Sequence, residues 1–155
     1  MSCYYFAYGS NMNQARMKAR QMDVCEALAG TLPGCALAFN KLAADAAGRS
    51  YANVVYSPES EVEGVLYRLQ NLGEITRMDP FEGAPRYYSR EIFLINTAKG
   101  AIPAWVYIAN KAMIHNQLKP APWYLEHLLA GREFLSEAYY HALTQVPCND
   151  ESPQA

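Results

Sequence analysis

The segment Tyr5-Phe6-Ala7-Tyr8-Gly9-Ser10-Asn11-Met12 joins a strand-like stretch to a helix-like one. Residues 3–8 are rich in side chains that favour strands. Gly9 tolerates a sharp turn, and Ser10 or Asn11 is a suitable N-cap for a helix over residues 12–20. Because free N–H groups at a helix start attract carboxylates and phosphates, the segment predicts an anion-binding junction, although most such junctions are connections only.

The composition predicts one soluble domain. The chain has 155 residues, of which 51% are hydrophobic and 18% charged. It has no apolar run near the roughly 18 residues that cross a bilayer, and no basic residue precedes its first apolar stretch as in a secretion signal. We therefore expect a cytoplasmic protein with no membrane partner, a domain over residues 1–148 and a polar, flexible tail over residues 149–155.

Several classes of site have little support in the sequence. The net charge is −2 and the basic residues are scattered, so we expect no nucleic-acid partner. The N-terminal junction lacks the glycine pattern of dinucleotide-binding and phosphate-binding loops. The four cysteines form no Cys-x-x-Cys pair, and we interpret them as reduced structural residues. The histidines lack the spacing of a helical ligand pair, so we expect no metal.

The central part of the chain predicts short strands joined by turns. Residues 24–42 are predicted to form two strands around Leu32-Pro33-Gly34, followed by a polar loop over residues 45–50. Residues 53–56 and 62–69 are predicted to form a hairpin. A helix over residues 71–78 should end before Asp79-Pro80, because the residue ahead of a proline resists helical geometry.

The C-terminal half predicts a second hairpin and two helices. The hairpin strands cover residues 87–96 and 101–109, and the helices cover residues 123–134 and 137–143. Six or so short strands joined by hairpin-type loops argue against a parallel doubly wound sheet. The predicted fold class is α+β, with a small mixed, mainly antiparallel β-barrel flanked by helices.

Glu82 is the candidate for acid-base chemistry. It lies between Phe81 and Gly83, in a segment that its prolines predict to be a loop. A carboxyl beside apolar surface is harder to ionise, so its pKa rises towards neutrality, where it can accept and donate a proton. Glu82 could instead be a solvated turn residue. Asp79 competes for the role, although its place before Pro80 favours a turn-initiating or capping function.

Three motifs of the chain together resemble the γ-glutamylcyclotransferase-like superfamily. They are Tyr8-Gly9-Ser10-Asn11, Gly64-Val65-Leu66-Tyr67, and Asp79-x-x-Glu82-Gly83 followed by Tyr88. Their order and spacing match over roughly Tyr5 to Leu143, with Leu32-Pro33-Gly34, Phe39-Asn40 and Pro122-x-Tyr124 in register. The resemblance implies a small mixed barrel with a cavity that cleaves a γ-glutamyl amide to 5-oxoproline and a free amine.

The resemblance also implies residue roles. The α-amino group of the substrate would attack its own γ-carbonyl in an intramolecular acyl transfer, with Glu82 as catalytic acid and base. The backbone N–H groups of Gly9, Ser10 and Asn11 would hold a substrate carboxylate or carbonyl oxygen. The implied substrate-binding residues are Tyr8, Gly9, Ser10, Asn11, Met12, Tyr88 and Tyr124. The chemistry requires no cofactor.

Further side chains are secondary candidates. The Tyr107 hydroxyl could reach a ligand, and Arg90 could either clamp a distal carboxylate or form a cross-strand ion pair. Tyr51, Tyr56 and the loop over residues 43–50 could line the side of the cavity that takes the leaving amine.

Two classes of function stay open. The chain is either a γ-glutamyl cyclotransferase acting on a γ-glutamyl amino acid or amine, or a non-catalytic module that binds a small carboxylate or a partner on the same fold. Glutathione-degrading relatives have a different residue at the position of Asn11, which disfavours glutathione as the substrate. The expected partner is a small-molecule γ-glutamyl substrate, and both a monomer and a homodimer stay open.

Overall fold

The computed structural model describes residues 3–43 and 48–149. Within these ranges the chain forms five strands and four α-helices. The strands are β1 (Cys3–Ala7), β2 (Val24–Leu42), β3 (Ser50–Leu69), β4 (Tyr88–Thr97) and β5 (Gly100–Ala109). The helices are α1 (Gln14–Ala19), α2 (Glu74–Glu82), α3 (Pro122–Leu129) and α4 (Glu137–Thr144), and short 3₁₀ helices cover Ser10–Met12, Lys111–Met113 and Arg132–Phe134.

The five strands close into a barrel in the order β1-β3-β2-β4-β5. β1 pairs antiparallel with β3 along its whole length, and it pairs parallel with β5 where Tyr5 faces Trp105. The remaining pairs are antiparallel. The α+β fold class, with a mixed, mainly antiparallel barrel flanked by helices, is therefore confirmed.

Alternate residues of the strands fill the barrel, as the two-residue period of a strand requires. Phe6, Leu66, Ile95 and Val106 lie on one face of the sheet and are completely buried. Gly64 allows β1 to approach β3 closely, since a Cβ atom at Gly64 would collide with the Ala7 carbonyl oxygen and lie 2.8 Å from the Phe6 ring. The glycine of the Gly64-Val65-Leu66-Tyr67 motif is thus required for barrel closure.

The prediction of four short strands between residues 24 and 69 is wrong. β2 and β3 are continuous strands of 19 and 20 residues. Pro33 pairs with Glu61 and Cys35 pairs with Tyr56, so that Gly34 alone faces residues 57–60. The turn residues therefore form a large bulge that bends two long strands together, and they do not reverse the chain.

The predictions for the first two helices need correction. Neither Ser10 nor Asn11 caps a helix, because residues 10–12 form a 3₁₀ turn and α1 begins at Gln14. The side chain of Asn13 caps α1 by accepting the N–H of Ala15 at 3.1 Å. α2 does not end before Asp79 but includes Pro80, whose missing N–H interrupts the helix only two residues before its end.

The C-terminal elements are all present, with one difference in length. The hairpin of β4 and β5 and helix α4 lie within one residue of their predicted bounds. The helix predicted over residues 123–134 is shorter, because α3 ends at Leu129 and a separate 3₁₀ helix covers Arg132–Phe134. No helix among the described residues is long and apolar enough to cross a membrane.

Asn149 donates its N–H to the Pro120 carbonyl at 3.0 Å. Residues 150–155 of the predicted tail lie outside the described residues, so the domain boundary stays a prediction. Residues 45–47 of the predicted loop also lie outside them, and Ser50 at its end already belongs to β3.

Candidate active site

One cavity joins the N-terminal junction to the end of α2. Its outer part has a volume of about 270 Å³, and an inner recess of about 30 Å³ continues it. Both parts are lined by Ser10, Glu82, Tyr88 and Tyr124. The outer part is also lined by Arg16, Arg20, Lys41, Tyr51, Pro80, Phe81, Gly83 and Tyr87. The recess is also lined by Tyr5, Tyr8, Gly9, Asn11, Ala52 and Tyr107.

The structure brings together all but one of the catalytic and substrate-binding residues that the resemblance implies. The exception is Met12, which lines neither part of the cavity because its side chain is completely buried. Met12 packs against Gly131, which follows α3. A Cβ atom added at Gly131 would lie 2.9 Å from the Cβ atom of Met12. Its place is thus in the packing beneath the N-terminal loop.

Glu82 is the last residue of α2 and lies between the two parts of the cavity. Its side chain is 17% exposed, so the interpretation as a solvated turn residue is wrong. Oε1 accepts a hydrogen bond from Nδ2 of Asn11 at 2.9 Å, and Nη1 of Arg20 lies 3.9 Å away. Gly83 ends the helix directly after Glu82 with a φ of 66°, a left-handed conformation that suits glycine.

Burial raises the pKa of Glu82 above its ordinary value, because the ionised form loses hydration. The positive charges of Arg20, Arg16 and Lys41 oppose that rise in pKa, as does the hydrogen bond from Asn11. The net direction is upward, which moves the pKa of Glu82 towards neutrality. A carboxyl in this state can accept and return a proton.

We expect Glu82→Gln to stabilise the fold increasingly as the pH rises. With a raised pKa, the folded state binds more protons than the unfolded state between the two pKa values, so wild-type stability falls as the pH rises through the folded pKa. Glutamine cannot ionise and escapes this loss. Urea unfolding measures the difference in unfolding free energy between Glu82→Gln and wild type, and we expect this difference to widen from about pH 4 to about pH 8. The exposed-site variant Glu59→Gln is the control. If the difference narrows instead, the pKa-lowering effects of Arg20 and Asn11 on Glu82 are larger than the pKa-raising effect of burial.

Asn11 is held by hydrogen bonds on every side of its amide. Nδ2 donates to Glu82 and to the Tyr5 hydroxyl at 2.9 Å, and Oδ1 accepts from Nη1 of Arg20 at 2.8 Å. The Tyr67 hydroxyl donates to the Asn11 carbonyl oxygen at 2.6 Å. These partners fix the orientation of the amide, and they explain how the Gly64-Val65-Leu66-Tyr67 motif supports the site.

The N-terminal loop offers unpaired backbone donors. Within the described part of the chain, the N–H groups of Gly9, Ser10 and Asn11 donate no hydrogen bond, whereas those of Met12 and Asn13 bond to the carbonyls of Gly9 and Ser10. A Cβ atom at Gly9 would lie 3.1 Å from the Tyr124 hydroxyl and would crowd the recess. The loop can thus present donors to a bound oxygen atom.

Three tyrosines fix the walls of the recess. The Tyr88 hydroxyl donates to the Ala52 carbonyl at 2.8 Å, and the Tyr124 hydroxyl accepts the Ala52 N–H at 2.9 Å. The Tyr8 hydroxyl donates to the Tyr107 carbonyl at 2.5 Å. Burial raises the pKa of all three tyrosines, Tyr8, Tyr88 and Tyr124, so their hydroxyls stay neutral.

Asp79 attaches α2 to the barrel. It accepts hydrogen bonds from Nε and Nη2 of Arg90 at 2.9 and 3.2 Å and from the Tyr107 hydroxyl at 2.6 Å. The Arg90 guanidinium also lies over the Trp105 ring, 4.4 Å from its centroid. Neither Asp79 nor Arg90 lines the cavity. Arg90 is therefore neither a substrate clamp nor part of a cross-strand pair, and Asp79 is not a turn initiator.

We expect Asp79→Asn to lower the free energy of unfolding by about 1–3 kcal/mol, because Arg90 would lose its charged acceptor. Urea unfolding measures the change. The matched control is Glu59→Gln, which alters an exposed acid and should stay within about 0.5 kcal/mol of wild type. Equal stability of Asp79→Asn and wild type would contradict the attachment role.

The sequence analysis missed the cations of the outer cavity. Arg16 and Arg20 lie four residues apart at the end of α1, a spacing that places both on one face and that could have been noticed. Lys41 comes from β2, and no local signal connects it to them. Tyr51 lines the outer cavity as expected, whereas Tyr56 is 84% exposed and does not.

A family model described as gamma-glutamyl cyclotransferase, AIG2-like, matches residues 5–126. The chain belongs to this family. No curated protein sequence matches the chain significantly.

Solved structures share the cyclotransferase fold. One described as gamma-glutamyl cyclotransferase is 21% identical with a TM-score of 0.82, over 99% of this chain and 93% of that one. The human protein LOC79017, described as uncharacterized, is 24% identical with a TM-score of 0.83, and the match covers 99% of this chain and 92% of that one. A yeast protein described as a gamma-glutamyl cyclotransferase specific to glutathione is 13% identical with a TM-score of 0.60, and the match covers 97% of this chain and 90% of that one. At these identities the likeness shows the fold alone.

Proposed function

We propose that this chain is a γ-glutamyl cyclotransferase that converts a γ-glutamyl amino acid or γ-glutamyl amine to 5-oxoproline and the free amine. The observation that carries the proposal is the position of Glu82. Its carboxyl has a raised pKa and lies in a cavity that is also lined by the loop with unpaired N–H groups. Family membership supports the reaction class.

The reaction needs one group that first takes a proton and then returns it. Glu82 takes a proton from the α-ammonium of the substrate, and the freed amine attacks the γ-carbonyl carbon to close a five-membered ring. The carbonyl oxygen becomes an oxyanion. As the bond to the leaving nitrogen breaks, Glu82 returns the proton to that nitrogen. The attacking nitrogen loses its second proton in forming the lactam, and this proton passes through Glu82 to the released amine, so that 5-oxoproline and an ammonium ion are formed. Substrate, product and enzyme balance without a cofactor.

The N-terminal loop supplies the hydrogen-bond donors that this reaction requires. The N–H groups of Gly9, Ser10 and Asn11 hold a carboxylate or the developing oxyanion, an interaction that strengthens in the transition state. Tyr8, Tyr88 and Tyr124 contact the substrate at the recess, whose volume of about 30 Å³ suits a single small group. The rest of the substrate, with the leaving amine, occupies the outer cavity.

The proposal is tested by incubating the protein with a panel of γ-glutamyl amino acids and γ-glutamyl amines and measuring products by mass spectrometry. We expect 5-oxoproline and free amine in equal amounts. The matched controls are the α-glutamyl isomers, whose amide is on the wrong carbonyl and should release no amine. Binding of the panel without turnover would favour the non-catalytic module instead, and neither binding nor turnover would refute both.

A further inference from the structure

The outer cavity carries more positive than negative charge. Among the described residues that line it, Arg16, Arg20 and Lys41 are cationic and Glu82 alone is acidic. Three positive charges against one negative charge leave an excess of two when Glu82 is ionised. Such an excess in a partly enclosed space attracts an anionic ligand, because the field there is screened less than at an open surface.

Two of these cations have partners within the protein. Arg20 donates to Asn11 at 2.8 Å, lies 3.9 Å from Glu82 and stacks on Phe81 with 4.9 Å to the ring centroid. Lys41 is buried and lies over the ring of Tyr87, 4.8 Å from its centroid. Both therefore contribute charge to the cavity, but their positions are fixed by the site itself.

Arg16 has far fewer partners. Its Nε atom is buried and donates no hydrogen bond, and Nη1 has only Nε2 of His127 near it, at 3.5 Å. Across residues 3–43 and 48–149, no carboxylate lies within 4.0 Å of the Arg16 guanidinium. Burial and the nearby Arg16 and Arg20 lower the pKa of His127, so this histidine adds no charge of its own. A buried, unsatisfied guanidinium donor is costly unless a ligand completes it.

We propose that Arg16, supported by the charges of Arg20 and Lys41, binds a carboxylate on the amine half of the substrate. This inference rests on the proposed function. Glu82 must lie near the scissile amide, and the recess beyond it is too small for more than one group, so the leaving half lies in the outer cavity with Arg16. The substrate class is then a γ-glutamyl amino acid with a free carboxylate, in preference to a γ-glutamyl amine.

The test compares γ-glutamyl-alanine with γ-glutamyl-alaninamide, which differ in one charge and hardly in size. We expect the wild-type kcat/KM for the carboxylate to exceed that for the carboxamide by about tenfold to 100-fold, the range for a hydrogen bond to a charged group. Arg16→Gln should remove most of that preference through KM, and Arg16→Lys should restore part of it. Lys18→Gln, an exposed cation on the same helix, should leave the ratio unchanged.

Different failures have different meanings. If wild type forms 5-oxoproline equally fast from both compounds, the carboxylate site is refuted and the proposed function stands. A loss that is equal for both compounds in Arg16→Gln would show a structural role and also refute it. If neither compound is turned over, the proposed function fails for them, and calorimetric binding to Glu82→Gln then tests the carboxylate site. Tighter binding of the carboxylate, lost in Glu82→Gln/Arg16→Gln, supports it, and equal binding refutes it.

Discussion

Glu82→Gln should nearly abolish 5-oxoproline formation while the protein stays folded. General acid-base assistance contributes about 10²–10⁴-fold to a rate, and glutamine can neither take nor return the proton. Among the described residues, no other carboxylate lines either part of the cavity, so no neighbouring acid can replace Glu82. The measurement is kcat for the best γ-glutamyl substrate, with circular dichroism to verify the fold.

The same variant separates an enzyme from a binding module. The amide oxygen of the introduced glutamine can still accept the hydrogen bond from Asn11, so the geometry of the cavity should survive the change. A non-catalytic module would keep or improve its affinity for an acidic ligand, because a negative charge leaves the cavity. Glu59→Gln serves as the control for charge alone. A kcat for Glu82→Gln within tenfold of wild type would remove Glu82 from the mechanism.

Gly64→Ala should strongly destabilise the barrel. The added Cβ would collide with the Ala7 carbonyl oxygen and crowd the Phe6 ring, and both neighbours belong to a completely buried part of β1. Overpacking costs about 1–3 kcal/mol and sometimes more, and we expect the upper end because a backbone atom cannot rotate away. Urea unfolding measures the loss of stability.

The matched control for this change is Gly73→Ala. Gly73 has an ordinary φ of −82°, and an added Cβ would lie no closer than 3.4 Å to its nearest neighbour, Oδ1 of Asn71. We expect little change in its unfolding free energy. If Gly64→Ala is as stable as Gly73→Ala, the close approach of β1 to β3 does not limit the fold. Because β1 leads directly into the loop at Gly9, activity should fall together with stability.

The junction at residues 5–12 and Glu82 could be predicted from the sequence because each carries its chemistry locally. A strand, a glycine and polar residues in succession predict a loop with free donors, and an acid next to an aromatic residue predicts a perturbed carboxyl. The hairpin of β4 and β5 is equally accessible, since turn residues 97–100 separate two alternating strands.

The long bent strands could not be predicted in this way. Pro33-Gly34 and Ser57-Pro58 are typical of reversing turns and of bulges alike, and only the pairing of Pro33 with Glu61 distinguishes the two. The continuation of α2 through Pro80 also depends on contacts that are distant in the sequence. The preference of the residue before a proline predicts that the helix ends at residue 78. Arg90 and Tyr107, from β4 and β5, instead hold Asp79 by hydrogen bonds and thereby fix the last turn of the helix.

The cationic side of the site depends on barrel closure. Arg16 and Lys41 are 25 positions apart in the sequence and belong to different elements, so neither predicts the other. They come together only in the folded chain, where α1 and β2 both contribute to the lining of the outer cavity. Basic residues that are scattered in the sequence argue against a polyanionic partner. In the folded chain they can still gather around one small ligand.

The two tyrosine hydroxyls bonded to Ala52 take the place of a neighbouring strand. β1 is five residues long and pairs only with residues 65–69 of β3, so the backbone of Ala52 faces no strand from β1. Ala52 is only 2% exposed, and a buried backbone group without a hydrogen-bond partner costs about 1–3 kcal/mol. Tyr88 and Tyr124 bond to the Ala52 carbonyl and N–H and so supply these partners. The recess can thus open beside β3 without leaving these two backbone groups unsatisfied.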